Sequence, residues 1–535
     1  MSTNGTNSLA VAIAAGQRNG RRVREASGFK AASRSRSFIR LLRHGSSLVL
    51  GFCAGLIAFP EASVQAQDVN LYAIPNQSAH FVRMPSRESS TEIDAVYANP
   101  AGVVELPEGF HLSLNNQFLR QATSVTSEYQ YLNQNPKTYE GVASSLIFPS
   151  VFVAYRKSDW AISGGVFMVA GAGGASFDNV PSADAGIADL VPLMQFSPLN
   201  DVDAYIEAET GENPGYSNLT DYRFNFFSDG YGVTPVIQGN FSYRINKAFA
   251  ISGGARFVYQ YQYAESVLDQ VEVYHSEYGG WQSPESYLQS VAADDRLDVL
   301  RQTVVTALAE AYGADATNAE LDASRAGIGF TPIIGIHIRP SDRVNIGLRY
   351  EHNTAISVKT TVNDGKDALG LYVDGEEFRS DLPGVIAGGL HYDLSDKIDI
   401  KIGGRILLDK SADLNGRDSL INSNYYEVAV AGQYELSDRI RLSCGYTYNA
   451  PGVDPLYQNE ADYRIAGHTG AFGGAYDLSD KFQINAGVMY TAFISESHVY
   501  GHEVGQNAGN VLDNRLTFEK NALVGALGID YRILR

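Results

Sequence analysis

Five cations share one alternating register. Arg256, Arg349, Lys401, Arg405 and Arg441 each stand where polar or small residues alternate with apolar ones. The apolar neighbours are Ile346 and Leu348 beside Arg349, Ile400 and Ile402 beside Lys401, and Leu442 beside Arg441. Strict period-2 alternation places the two sets on opposite faces of a β-strand. If the apolar set meets lipid, the cations point into an enclosed lumen, because a charge facing lipid near mid-bilayer costs ~2–4 kcal/mol. Two kinds of chemistry are then open to them. They can pair with acids such as Glu351, Asp399 and Asp409, or at least one can hold the carboxylate of an otherwise apolar ligand.

Nothing in the sequence points to catalysis. There is no G-x-S-x-G, H-E-x-x-H or phosphate-loop pattern, and the ten histidines are scattered. No cofactor is expected. Asp201, Asp203 and Glu207 could meet a calcium ion on a loop, but they lack a complete ligand spacing, so a solvated acidic loop is the expectation and no metal is assigned. Cys444 stands alone on an apolar strand face, as a small lipid-facing hydrophobe.

The elements that position the cations are hairpins. Asn424–Asn449 is the clearest: Val428, Val430, Gly432 and Tyr434 alternate with Glu427, Ala429, Ala431 and Gln433, and the alternation resumes after a turn at Leu436-Ser437-Asp438. Five further hairpins follow the same plan: Ser150–Ala170, Val236–Tyr263, Ile333–His352, Val385–Leu408 and Ala471–Phe493. Three of the six share a near-identical turn, Tyr392–Lys397, Tyr434–Arg439 and Tyr476–Lys481. With a first strand at Phe110–Phe118 and a last at about Leu516–Leu534, the count is fourteen. An even number with all short turns on one side is the plan of an outer-membrane β-barrel. Long connections then fall on the other side, at about 121–145, 171–232, 264–328, 354–383, 410–424, 450–468 and 495–514. Tyr155, Tyr243, Tyr392, Tyr434 and Tyr476 precede the tight turns, where rings sit at a membrane–water boundary. Within 264–328, Leu297, Leu300, Val304 and Leu308 at helical spacing predict one or two amphipathic helices over 283–312. Ile187–Met194 is a second apolar patch on an outer loop.

The N-terminus carries an export signal by pattern. Arg36, Arg40 and Arg43 precede the apolar run Ser47–Phe59, and Val64 and Ala66 suit cleavage before Gln67. Residues 1–66, with their long basic n-region, are therefore set apart from the fold. They carry 9 Lys+Arg and 2 Asp+Glu, which leaves 32 basic and 58 acidic residues, net −26. That balance disfavours nucleic acid as a partner. A closed barrel has no free edge demanding a second subunit, so a monomer in contact with outer-membrane lipid and lipopolysaccharide is expected. Residues 67–108 show no sustained alternation and stand outside the strand register.

Ile93–Gly102, and within it Asn99-Pro100-Ala101-Gly102, resembles the N-terminal signature of the FadL family of outer-membrane channels for long-chain fatty acids and other hydrophobic compounds, including aromatic hydrocarbons. The resemblance implies a fourteen-stranded barrel (109–535) whose N-terminal segment (67–108) folds into the lumen as a hatch. It implies that Asn99, Pro100 and Ala101 sit against an inward kink of the third strand, beside a lateral portal for hydrophobic ligand. Here that strand holds Gly164 and Gly165 and runs into Gly171, Gly173 and Gly174, and glycines in a strand mark bulges or close backbone approach. The implied function is passive, non-enzymatic uptake, with an open porin for polar solutes or a surface adhesin as the rival classes. The final residues Asp530–Arg535 lack the terminal aromatic that many outer-membrane barrels use in assembly.

Overall fold

A computed structural model describes residues 78–196, 199–313, 317–366, 372–460, 462–504 and 511–534. The expected signal segment, residues 1–66, and the first part of the expected hatch, residues 67–77, lie outside these residues. Fourteen antiparallel strands form a closed ring: β1 (Gly109–Ser127), β2 (Lys137–Lys157), β3 (Trp160–Phe177), β4 (Asp221–Asn246), β5 (Phe249–His275), β6 (Ala319–Ser341), β7 (Val344–Glu351, carried on by Ser357–Lys366), β8 (Val385–Ser395, preceded by Glu377–Arg379), β9 (Ile398–Leu407), β10 (Ile421–Ser437), β11 (Ile440–Val453), β12 (Gly467–Ser479), β13 (Phe482–Phe493, carried on by Glu496–Glu503) and β14 (Val511–Leu534). Each pairs with its sequence neighbour, and β14 returns to β1 from Gly109↔Leu534 to Ser127↔Leu516.

The three similar turns share one device. The hydroxyls of Ser395, Ser437 and Ser479 accept from the backbone N–H of Lys397, Arg439 and Lys481 at 3.3, 3.4 and 3.3 Å, a local bond that fixes the turn and with it the register. Outward positions are apolar and exposed, Leu348, Ile402, Leu442 and Leu527 among them, and Cys444 is exposed with them. Two aromatic belts bound this band. The lower one includes Tyr243, Tyr392, Tyr434 and Tyr476, and the upper one Tyr259, Tyr426, Tyr446 and Tyr490, all exposed. Tyr426 and Tyr434 share β10, eight residues apart. That is roughly 27 Å along the strand, or roughly 20 Å along the barrel axis at a tilt of about 40°, the height of a thin bilayer core.

On the outer side the strands rise further than alternation indicates. β1–β6 continue well into the stretches assigned to loops, because backbone pairing persists above the apolar band where the outward face no longer has to be greasy. The remaining connections fold together into a cap. It contains α3 (Pro181–Ala188), α4 (Leu190–Phe196), α5 (Leu199–Thr210), α6 (Pro284–Ala292) and α7 (Val299–Ala311). Ser283 and Asp298 cap the last two through the N–H groups of Ser286 and Arg301. The expected apolar face of α7 holds only in part. Leu297 and Leu308 are buried together with Val305, whereas Val299 (79 % exposed), Leu300 (69 %) and Val304 face solvent. The buried stripe of α7 runs instead through Val305, Leu308 and Ala309, which turns Leu300 and Val304 outward, while Leu297 lies ahead of the helix. The 187–194 patch is not a collecting surface: Ile187, Leu190, Val191 and Met194 are buried in the cap core. Asp201 and Asp203 lie on α5, and Asp203 accepts from the N–H groups of Tyr216 and Ser217 at 2.8 Å each, so it closes a loop.

Asp184 ties the cap to the rising strands. It is fully buried and accepts from Lys137 Nζ, Tyr139 OH (2.9 Å), Tyr222 OH (2.5 Å) and Asn179 Nδ2 (3.0 Å). Asp184→Ala strands two tyrosine hydroxyls and an ammonium, and is expected to cost the cap about 3 kcal/mol. Limited proteolysis of the intact barrel should then cut within 178–220, while the heat-modifiable gel mobility of the barrel stays unchanged.

Candidate functional site: a lumenal hatch and an interrupted strand pair

The hatch residues described fold as α1 (Ala79–Arg83), α2 (Ala95–Ala98) and a 3-10 turn over Pro100–Glu105. Between α1 and α2 the chain lies along the inner wall, and the wall makes room by presenting glycine. A Cβ on Gly487 of β13 would stand 2.6 Å from Arg83 N, one on Gly473 of β12 2.5 Å from Arg83 Cβ, and one on Gly445 of β11 2.5 Å from Pro85 Cδ. The series continues with Gly403 of β9 against Glu88 Oε2 (2.4 Å), Gly389 of β8 against Glu88 Cβ (3.0 Å) and Gly347 of β7 against Glu88 O (2.0 Å). Several are cross-strand neighbours: Gly347↔Gly389, Gly389↔Gly403 and Gly473↔Gly487. A row of side-chain-free positions thus forms the seat of Arg83–Glu88.

Charge holds the seated chain. Arg83 and Arg87 are fully buried. Arg83 donates to Asn485 Oδ1 (3.2 Å), Gln433 Oε1 (2.7 Å) and Ser443 Oγ (3.1 Å), on β13, β10 and β11. Arg87 is forked onto Asp94 at 2.6 and 2.7 Å and reaches Glu92 at 2.5 Å. His80 meets Asp530 of β14 at 2.7 Å. His80, Glu92 and Asp94 approach one another closely enough to suit a cation, but Arg87 already occupies both carboxylates. None of these groups stands out in the sequence, because the hatch has no periodicity against which a buried arginine looks anomalous.

The Asn99–Gly102 motif is buried against the wall. Asn99 Nδ2 donates to Ser90 O (2.9 Å) and lies 3.1 Å from His337 Nδ1 of β6. Pro100 O accepts from Ser242 Oγ of β4 at 2.7 Å, and the Cβ that Gly102 lacks would fall 2.6 Å from Ser90 O. The motif's own hydrogen bonds therefore run to β4, β6 and the hatch, while the turn over Pro100–Glu105 packs on β3 through Val103 and Val104, and Tyr97 also reaches β3. Its ring meets Phe167 edge-on at 5.1 Å.

Phe167 marks an interruption in the wall. β2 and β3 are paired up to Val151↔Val166 and again from Ser144↔Gly174, with no ladder between. On β3, pairing with β4 shifts register twice between Met168 and Gly173, and Gly171 has φ +87° with Gly232 O where a Cβ would be. Only glycine adopts that geometry here without strain. Gly173 and Gly174 resume the ladder, while Gly164 and Gly165 lie in its regular part below. On β2, Leu146 (82 % exposed) and Ile147 (77 %) form a bulge that Asn116 bridges through Leu146 O (3.1 Å) and Phe148 N (3.0 Å). Behind the interruption runs one apolar cluster, from Val103 and Val104 of the hatch through Phe152, Phe167, Val169 and Val258 to Ile356 and Leu382 near the cap.

All five cations singled out above point inward, each beside an acid. Arg256 forks onto Glu351 at 2.7 and 3.0 Å, and Arg349 Nε lies 3.1 Å from the same carboxylate. Arg405 bonds Glu427 at 2.9 Å, Arg441 bonds Asp477 at 2.9 Å, and Lys401 lies 3.5 Å from Asp399. Asp409 serves Arg464 instead. Arg349 also donates to Tyr97 O, and its guanidinium lies 4.5 Å from the Tyr97 ring. Arg349 thus braces Tyr97, whose ring meets Phe167 of β3.

Fold and site together define a fourteen-stranded barrel with an N-terminal lumenal hatch and one interrupted strand pair. A similar fold occurs in the crystal structure of a Pseudomonas aeruginosa FadL homologue, with 12 % identity, a TM-score of 0.55, and 86 % of this chain and 99 % of that chain covered. It also occurs in the deltaS2 mutant of the TodX monoaromatic hydrocarbon channel, with 13 % identity, a TM-score of 0.51, and 87 % and 100 % covered. This chain has their fold. No family model matches the sequence, and no curated protein does.

Proposed function

We propose that the chain is an outer-membrane channel of the FadL type, taking up hydrophobic molecules, carboxylated ones included, passively and without chemistry on them. Ligand passes the cap, follows the apolar cluster down the lumen and leaves sideways between β2 and β3 into the bilayer. The observation that carries this reading is the coincidence of three features: a strand pair without a ladder, an apolar cluster behind it, and a hatch ring in contact with Phe167. The hatch segment seated on the inner wall supports this reading over an open porin. The barrel acts alone, as a monomer in lipid, after export by its N-terminal signal.

Ala170 is buried beside the interruption, so Ala170→Trp should plug it. Cells relying on this channel are expected to lose at least tenfold in uptake of radiolabelled oleate, with barrel mobility on gels unchanged. Unaltered uptake would remove the lateral route. A large, steady conductance of the wild type in planar bilayers would sink the hatch mechanism as a whole.

A further inference from the structure

Among the acids of the described hatch, Glu88 lacks a counter-charge. Glu92 and Asp94 hold Arg87, Glu105 holds Arg244 and Arg339 at 3.0 Å each, and Glu108 lies 3.5 Å from Arg156. Glu88 is 9 % exposed, and no cation among the described residues lies within ion-pair distance of it. Its Oε2 has no hydrogen-bond partner among them either. Yet it sits on three glycines of the seat, Gly347, Gly389 and Gly403.

The groups on the strands beneath are already engaged. Arg349 of β7 is 3.1 Å from Glu351, and Arg405 of β9 is 2.9 Å from Glu427. Lys401 of β9 lies 3.5 Å from Asp399, and His391 of β8 lies 3.1 Å from Asp393. Glu427 of β10 adds a like charge. Burial first, and Glu427 second, raise the pKa of Glu88 above the ordinary carboxylate value, and its own backbone N–H, Arg405 and Arg349 do not restore it. A carboxylate buried without a partner takes up a proton. The neutral form has one O–H to donate. Ser86 Oγ, also buried without a partner, is an acceptor on the same face: Glu88 Oε2 and Ser86 Oγ stand 2.4 and 3.0 Å from the Cβ that Gly403 lacks.

We propose that Glu88 is a proton-linked latch, neutral while Arg83–Glu88 is seated and ionised once the hatch leaves the glycine row, its proton passing to water in the opened lumen. This rests on the channel reading and names the regulation of its hatch. The released carboxyl titrates at about 4.3, and the seated one higher. The latch therefore holds fully below the released value and weakens as pH rises through the seated one. Burial opposes the charge of His80, but Asp530 and Glu92 raise its pKa to about 9, so its hold on the wall persists at neutral pH.

The test is the open fraction of the full-length barrel in planar bilayers, for wild type, Glu88→Gln and Glu88→Met. One linked proton changes the open-to-closed ratio by up to about tenfold per pH unit, so the wild-type open fraction should rise at least tenfold from about pH 5 to about pH 8. Both variants, with no charge to bury, should stay at the low acid value throughout. A flat wild-type profile overturns the latch and leaves the channel reading standing. A rise that persists in the variants also overturns it and assigns the effect to His337 and His391. Should the variants fail to fold, the wild type decides by sign: proteolysis within 78–108 must speed up over the same range, and an equal or falling rate overturns the latch. A large, steady conductance at every pH removes the hatch mechanism, and this inference with it.

Discussion

Gly487→Val is expected to convert a closed barrel into a leaking one. The added Cβ would sit 2.6 Å from Arg83 N and 2.7 Å from Arg83 Cα. These are backbone atoms, which cannot swing aside as a side-chain tip can. Overpacking of this kind costs about 1–3 kcal/mol where neighbours can shift, and here the neighbour free to shift is the hatch. The strand is not the weak partner, since valine favours β-structure. Planar-bilayer conductance should rise at least tenfold, and cells should become sensitive to bulky hydrophilic antibiotics. Gly470→Val is the control: nothing lies within 4 Å of the Cβ it adds, and its conductance should match the wild type. A closed Gly487→Val barrel would mean that the glycine row does not seat the hatch.

Arg87→Met should release the hatch by another route. Arg87 neutralises Asp94, itself buried, and Glu92 through three bonds of 2.5–2.7 Å. Removing one member of a buried pair costs about 3–5 kcal/mol, because the other is left as an uncompensated charge. About 3 kcal/mol shifts a closed-to-open ratio roughly a hundredfold. The barrel ladder does not include Arg87, so unfolding in denaturant should keep its midpoint while conductance and protease access to residues 78–108 rise. A fall in the midpoint with conductance unchanged would place Arg87 in the stability of the wall instead.

The wall was legible in the sequence because period 2 is enforced on every strand by lipid outside and polar groups inside. The turn serines, the lower tyrosine belt and the inward side of Arg256, Arg349, Lys401, Arg405 and Arg441 all follow from that one constraint. Strand ends above the bilayer did not follow, since lipid no longer selects the outward residue there. Nor did the partners of Arg405 and Arg441, because Glu427 and Asp477 belong to neighbouring strands whose register no single strand reveals. The seat was half visible. Gly388-Gly389, Gly403-Gly404 and Gly473-Gly474 stand at mid-hairpin, where glycine weakens a strand and marks close approach, but nothing in the pattern says what approaches. The motif at Asn99–Gly102 gave no sign of its contacts with Ser242 of β4 and His337 of β6, which lie far off in the sequence. Tyr97, which reaches Phe167, lies two residues before the motif.

The glycine row also bears on biogenesis. Every residue that seats Arg83–Glu88, from Gly347 to Gly487, lies C-terminal to the segment it holds. The hatch is therefore translocated first and has nothing to bind until β7–β13 stand side by side. Its docking becomes the last event of assembly, inverting the order of synthesis. Until then the fully buried pair Arg83 and Arg87 travels hydrated, and closure of the lumen reports that the wall is complete.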